Sequence, residues 1–422
     1  MAPKPHSHIP ERWTIVIAAI AIQLCLGVVY AWSPIKSMLT TGFGWGHTAA
    51  SLPFSVALAV NAAVMVYAGR WQDKVGPRRV ATAGGILYGL GYLLASLGHP
   101  PTLAWLVTTY GIIGGAGIGL AYVCPIAALV KWFPDKRGLI SGLAVAGFGA
   151  GAFIFSKLIP MLATSPDPGL YTVFLWFGAI FLVVVTLGAQ FLRNPPEGYR
   201  PEGWVPTPRE AAAHAAPDVP WRQMLRTRLF WLLWAMFFIG ATAGLMTIGH
   251  IKGFSQEVLE AQGVTDAAGK ALTIVGMLSV FNALGRIVWG AASDRLGRPS
   301  AMGLMFLLQA GAMVALTLTS SYYTVLAAAC LVGFNFGGNF ALFPSATADL
   351  FGTKNLGVNY GWVITAYGMA GVAGPMLGGW VKDTLLVYDR AFLAAGGLCV
   401  MGSVLAQAVP SHVSEVTSEG PD

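Results

Sequence analysis

Twelve apolar runs, each about as long as one crossing of a lipid bilayer, follow one another along this chain. They fall near residues 13–36, 48–68, 80–98, 103–130, 138–162 and 170–192, then 229–252, 269–292, 299–318, 322–347, 359–382 and 390–409. A run of ~20 apolar residues spans the ~30 Å hydrocarbon core as a helix, which satisfies its own backbone N–H and C=O groups. The expected fold is therefore an all-α membrane protein of twelve transmembrane helices, in two bundles of six. Only 10% of the residues are charged and 55% are hydrophobic, against roughly 25% charge in soluble domains.

The two sets are separated by a proline-rich stretch that carries Asn194–Pro195–Pro196–Glu197 and Pro201, Pro206, Pro208, Pro217 and Pro220. Proline at this density extends the backbone and breaks helices. The organisation expected is an N-terminal bundle over 1–192, a cytoplasmic linker over 193–228 with one amphipathic turn around Glu210 to His214, and a C-terminal bundle over 229–422 with a short cytoplasmic tail. Met1 to Arg12 shows no cleavable leader pattern, so the first run is expected to stay in the membrane. Of the 25 Lys and Arg, eighteen fall on the side of the termini and six on the other, with Arg286 left over. That asymmetry predicts cytoplasmic termini in a multi-pass cell-membrane protein. The net charge of +7 is thus spent on topology, and nucleic acid is not an expected partner. Cys25, Cys124, Cys330 and Cys399 stand singly without metal-ligand spacing, so they read as core residues, and neither metal nor cofactor is expected.

The halves echo each other. Gly69–Arg70–Trp71–Gln72–Asp73–Lys74–Val75–Gly76–Pro77–Arg78–Arg79 follows the second run, and Gly290–Ala291–Ala292–Ser293–Asp294–Arg295–Leu296–Gly297–Arg298 follows the eighth, 221 residues later. Such duplication marks a fold built from repeated units. Asp73 and Asp294, with Arg70, Arg78, Arg79, Arg295 and Arg298, are expected to form charge and dipole contacts that gate the cytoplasmic face. The glycine-rich stretches Gly111 to Gly119, Gly142 to Gly151 and Gly368 to Gly379 lack the Lys-Ser/Thr ending of a phosphate loop. They let helices approach closely.

Arg286 is the basic residue stranded inside the eighth run, about 12 Å from the charged turn at Ser293 to Arg295 at ~1.5 Å per residue. A charge at that depth costs several kcal/mol unless it meets water, a counter-ion or a ligand. No Asp or Glu lies centrally in any run, which leaves a substrate anion as its partner. The bland alternative is a guanidinium that snorkels to the interface. Asn282 lies four residues earlier, on the same helix face, and could receive a hydroxyl next to a carboxylate held by the Arg fork. Tyr30, Tyr122, Phe336, Phe340 and Tyr367 are candidates for an aromatic wall. Asn335 and Asn339 form a second i, i+4 polar pair that either lines the site or bridges helices. His250 is the titratable candidate for proton coupling; its bland reading is an interfacial histidine.

The loop after the second run, with its degenerate copy after the eighth, resembles the signature loop of the major facilitator superfamily. Within it, Lys131–Trp132–Phe133–Pro134–Asp135–Lys136–Arg137–Gly138, Met224–Leu225–Arg226–Thr227–Arg228–Leu229–Phe230–Trp231 and Ala341–Leu342–Phe343–Pro344–Ser345 resemble the oxalate/formate antiporter and monocarboxylate transporter branch. The resemblance implies two bundles that rock about a central site, with the Arg of the eighth helix binding carboxylate. Two departures matter. Animal-type monocarboxylate transporters carry an Asp four residues before that Arg, where this chain has Asn282; oxalate exchangers add a Lys where this chain has Tyr367. One cation suits one carboxylate, so the expectation is proton symport of a monocarboxylate such as L-lactate, by a transporter functional as a monomer. The alternatives are a carboxylate exchanger and, less well supported, a nutrient sensor. An enzyme is not expected, because the runs contain neither HExxH nor Gly-x-Ser-x-Gly.

Overall fold

The computed structural model describes residues 9–133, 137–163, 169–196, 199, 201, 219–318, 321–352 and 355–410. Every regular element among them is helical. The first is α1, Ile9–Leu26, which passes through a tighter turn at Gly27–Ala31 into Trp32–Phe43. Next come α2 (His47–Val75), α3 (Pro77–Ala95), α4 (Leu103–Leu106, a wider π-type stretch Val107–Gly114, then Gly115–Trp132), α5 (Arg137–Leu162) and α6 (Leu170–Phe191). One turn, Trp221–Met224, precedes α7 (Arg228–Ala261), α8 (Ala267–Leu296), α9 (Arg298–Thr317), α10 (Tyr322–Phe351), α11 (Leu356–Val363 and Thr365–Leu385) and α12 (Asp389–Ala406). These are the twelve helices expected, arranged six and six. Ten of the described helices are long and apolar enough to cross a membrane; α3 and the main part of α11, both glycine-rich, fall below that hydropathy.

Several helices outrun their apolar cores. The eighth run was expected at 269–292, whereas α8 continues to Leu296, because Asp294 and Arg295 at its end face water and still close helical hydrogen bonds. The signature loops then turn on Gly76 and Gly297, whose φ angles of 86° and 81° suit glycine. Each is followed at once by a helix with proline in its first turn. The sequence echo is therefore matched by a backbone echo. Of the expected linker, Glu210 to His214 lie outside the described residues. Its end is pinned to the C-terminal bundle: Val219 donates its N–H to Phe351 and accepts from the Asn359 amide at 2.9 Å.

Apolar chains gain nothing from leaving lipid for another apolar surface, so membrane helices hold together by close packing and hydrogen bonds. Here glycine supplies the closeness. On α10, Gly333 and Gly337 face the carbonyls of Leu278 and Asn282 on α8, and Gly285 of α8 faces the carbonyl of Phe334 in return; a methyl at any of the three would overlap that oxygen. Between the bundles, α2 lies against α11 and α5 against α8. The Ser279 hydroxyl donates to the Gly149 carbonyl at 2.5 Å, and Gly149 sits beside Ala283.

Gly337→Val should lower the thermal stability of the detergent-purified protein by about 1–3 kcal/mol, the usual penalty for overpacking. Gly311→Ala, where nothing lies within 4 Å, should leave the midpoint unchanged or raise it. Equal midpoints for the two variants would contradict the glycine-contact account.

Candidate functional site

Arg286 and Asn282 sit one turn apart on α8 and are both interior, the arginine with 3% of its surface exposed. The Arg286 Nε donates to Asn282 Oδ1 at 3.3 Å. Both terminal nitrogens of the guanidinium, Nη1 and Nη2, and the Asn282 Nδ2 are buried without a hydrogen-bond partner. The alternative reading, a guanidinium that snorkels to an interface, is not what the side chain does. Its cation lies over the Phe340 ring at 4.4 Å and over Phe148 at 5.8 Å. A desolvated cation–π contact supplies about 2 kcal/mol, less than the several kcal/mol an uncompensated buried charge costs. Three donors therefore converge without a well-formed hydrogen bond among the described residues, the nearby acceptors being the Tyr30 and Tyr122 hydroxyls.

An aromatic box surrounds them, drawn from both bundles. Tyr30, in the tight turn of α1, meets Phe148 of α5 at 5.2 Å and Phe336 of α10 at 5.4 Å. Tyr122 of α4 meets Phe148 at 5.1 Å, while Phe340 meets Phe336 and Tyr367 of α11, each at 5.4 Å. The Tyr30 and Tyr367 hydroxyls bond across the bundle boundary at 3.2 Å. Tyr30 and Tyr122 are close enough to Arg286 for its charge to act on their phenols directly. Edge-to-face rings fix one another's orientation and keep the space between them low in dielectric, which strengthens any ion pair formed there.

The other sequence candidates lie elsewhere. Asn335 accepts from Trp289 Nε1 at 3.2 Å, and Asn339 donates to carbonyls of its own helix while its oxygen faces Gly240 of α7. Both occupy the interior of the C-terminal bundle. His250 is buried rather than interfacial. Phe336 packs on Gly244, and His250 is six residues further along α7, about 9 Å at 1.5 Å per residue, toward the face opposite the termini. Its Nε2 lies 2.8 Å from the Pro375 carbonyl and its Nδ1 2.5 Å from the Lys36 ammonium and 3.3 Å from the Tyr388 hydroxyl. The carbonyl can only accept, so Nε2 donates to it and Nδ1 is left to accept from Lys36.

Two contributors were not singled out from sequence. Lys36 counted as a basic residue of the outer loops, yet it is 4% exposed within α1; its place between Ile35 and Ser37, with Leu39 beyond, was the available signal. Phe148 stands between Gly147 and Gly149, in a stretch whose small residues mark close helix approach. A lone ring amid small residues marks where an aromatic side chain must fit.

The signature-loop residues gather at the face of the termini. Arg298 bonds Asp349 at 2.9 Å and Asp294 at 3.0 Å and reaches the Ser293 hydroxyl, tying α8, α9 and α10 within one bundle. Asp73 accepts from Gln72 at 2.7 Å, and Arg70 lies 6.0 Å over Trp221. Arg78, Arg79 and Arg295 are exposed.

Comparison with known proteins agrees with this architecture. The sequence profile of the Major Facilitator Superfamily matches residues 15–281 and 271–422. The chain is 30% identical to the uncharacterized MFS-type transporter YhjX of Escherichia coli (strain K12), over 87% of this chain and 88% of that one. It is 29% identical to the oxalate:formate antiporter of Oxalobacter formigenes, over 91% and 90%, and 25% identical to monocarboxylate transporter 13 of Rattus norvegicus, over 95% and 90%. Among solved structures, a bacterial homolog of the human lysosomal transporter Spinster, in an inward-facing and occupied conformation, superposes with a TM-score of 0.73 at 13% identity, covering 95% of this chain and 97% of that one. Twelve helices in two bundles, paired signature turns and a profile that spans nearly the whole chain make this protein a member of the major facilitator superfamily, a multi-pass membrane transporter.

Proposed function

We propose that this transporter carries small monocarboxylates such as L-lactate together with a proton, by alternating access, and that Arg286 receives the carboxylate. The observation that carries the reading is the pair of buried, partnerless Nη atoms on Arg286. Two parallel N–H groups match the two oxygens of one carboxylate. The idle Asn282 Nδ2 is a donor beside that fork, suited to the 2-hydroxyl of lactate. The phenol of Tyr367 stands where a second cation would serve a dianion, and phenols do not neutralise charge. Binding cancels the guanidinium charge and so lowers the cost of closing an apolar box around it.

Proton coupling falls to the Lys36–His250 pair. With Nε2 committed to Pro375 and Nδ1 to the ammonium, the closed pair accommodates one positive charge; two at hydrogen-bond distance would repel. Opened to water, it can take a second proton, which the closing pair can no longer hold and which passes inward by the central site to leave with the carboxylate on the other side. The positive-inside asymmetry puts the termini in the cytoplasm and this pair toward the outside, where acid would load it. Exchange of carboxylates is the second reading, supported by the printed activity of the relative from Oxalobacter formigenes. Counterflow separates the two, because an obligate exchanger moves labelled acid only when acid is present on both sides.

Proteoliposomes holding the purified protein should accumulate labelled L-lactate when the outer buffer is acidified, and a rate indifferent to the pH gradient would contradict symport. Arg286→Gln should weaken lactate binding by roughly 30-fold or more, since removing one partner of a buried ion pair costs about 2–5 kcal/mol. Calorimetry of the purified variant checks this, and parent-like affinity would remove the assigned site. His250→Ala should flatten the pH dependence of uptake while lactate affinity at one fixed pH changes little; an unchanged pH profile would retire the pair as proton carrier.

A further inference from the structure

On the face opposite the termini, one bundle makes a direct contact with the backbone of the other. Near the end of α11, Asp383 accepts from the backbone N–H groups of His47 and Thr48, both at 2.8 Å, and from the Thr48 hydroxyl at 2.6 Å. His47 and Thr48 are the first residues of α2, on the far side of the bundle boundary. A helix start leaves N–H groups without partners and carries partial positive charge, which a Ser, Thr, Asp or Asn at the N-cap commonly satisfies. Here the N-cap is Gly46, which has no side chain to offer. A Cβ at Gly46 would lie 3.5 Å from the Asp383 carboxylate, so the cap that α2 lacks is supplied by α11.

The approach of the two backbones makes this possible. Gly379, one turn before Asp383 on the same face of α11, lies so close to α2 that a Cβ would stand 2.8 Å from the Thr48 Cα. At the other end of α11, Gly361 meets nothing of α2 nearer than 3.9 Å, from Val66. In between, a Cβ at Gly368 or Gly371 would stand 2.5 Å from the Ala62 or Leu58 side chain of α2, so the helices pack closely along this stretch, and it is at Gly379, beside the carboxylate, that the nearest atoms are backbone. The neighbouring ion pair, Lys382 to Glu257 at 2.5 Å, joins α11 to α7 within the C-terminal bundle and does not cross the boundary.

We propose that Asp383 is the latch of this face: its carboxylate caps α2 in trans, and the cap must be given up each time the bundles part there. Asp383 is exposed and His47 and Thr48 are half-buried, so water can replace the lost bonds on opening, which suits a contact that breaks in every cycle. The proposal rests on the alternating-access reading but not on the cargo. A protein that fails to carry lactate can still open and close, so the two tests fail separately.

The experiment places spin labels at Thr41 and Gln262, exposed ends of α1 and α7 on opposite sides of the boundary, in a background whose four buried cysteines are replaced by alanine. Double electron–electron resonance then reads their separation. Asp383→Asn, which keeps the shape and loses the charge, should raise the ratio of separated to closed molecules about tenfold, as expected for losing charge-assisted hydrogen bonds. Thr48→Ala should shift it in the same direction by less, and the double variant should add nothing to Asp383→Asn alone. Glu257→Gln should leave the distribution as in the parent. An unchanged distribution in Asp383→Asn, or an equal shift in Glu257→Gln, overturns the latch. If Asp383→Asn does not yield folded protein, Thr48→Ala decides by the same reading, and no shift there overturns it too.

Discussion

A guanidinium held in a low-dielectric interior without an acid beside it is the constraint around which this molecule is organised. Arg286 has Asn282 and the face of Phe340 for company, and two of its nitrogens make no well-formed hydrogen bond. The protein could have silenced the charge with an aspartate at position 282, one turn away. It carries an amide there instead, which orients the guanidinium by one hydrogen bond and leaves the fork free. The cost of that arrangement is borne by the fold, and the rings drawn from both bundles make it recoverable, because they exclude water from whatever neutralises the fork.

Close backbone approach is the second requirement, and the two are linked. Gly337 admits the Asn282 carbonyl, Gly149 lies against Ala283 one turn from Arg286, and Gly379 admits the start of α2. The residues that let α8 carry a charge near the bundle boundary are thus neighbours of the glycines that let bundles meet there. Packing of this kind has few intermediate arrangements: two backbones either touch through glycine or separate, and separation costs mostly dispersion and a few hydrogen bonds. Such an interface is suited to switching between discrete states, as alternating access demands.

The fold was largely legible in the sequence, since bilayer thickness converts apolar run length directly into a helix count. Within the site, legibility tracked how unusual a residue was in its surroundings. Arg286 and Asn282 stood out because charge and amide are rare at that depth, and α8 carries both inward. Phe148 did not, because a ring in a membrane helix packs against lipid as readily as against a substrate wall, and periodicity does not separate the two. Lys36 was misplaced for a physical reason: a lysine near the end of an apolar run ordinarily reaches water along its own stem, and only the tertiary neighbours His250 and Tyr388 keep this one inside. Asn335 and Asn339 share a helix with two rings of the box, yet they turn into the bundle, an outcome decided by Trp289 and Gly240 on other helices. Asp383 looked like any acid at a helix end until α2 was found to begin on a glycine beside it.

The central claim concerns the chemical state of the bound guest, and vibrational spectroscopy reads that state directly. Isotope-edited infrared difference spectra of the purified parent protein, taken with L-lactate labelled with carbon-13 at the carboxylate, would resolve the carboxylate stretch of bound acid from every protein band. An ion pair with the Arg286 fork should give a narrow antisymmetric stretch displaced from its position in water. A bound band that coincides with that of free lactate, or a carbonyl stretch of the neutral acid in its place, would contradict the account.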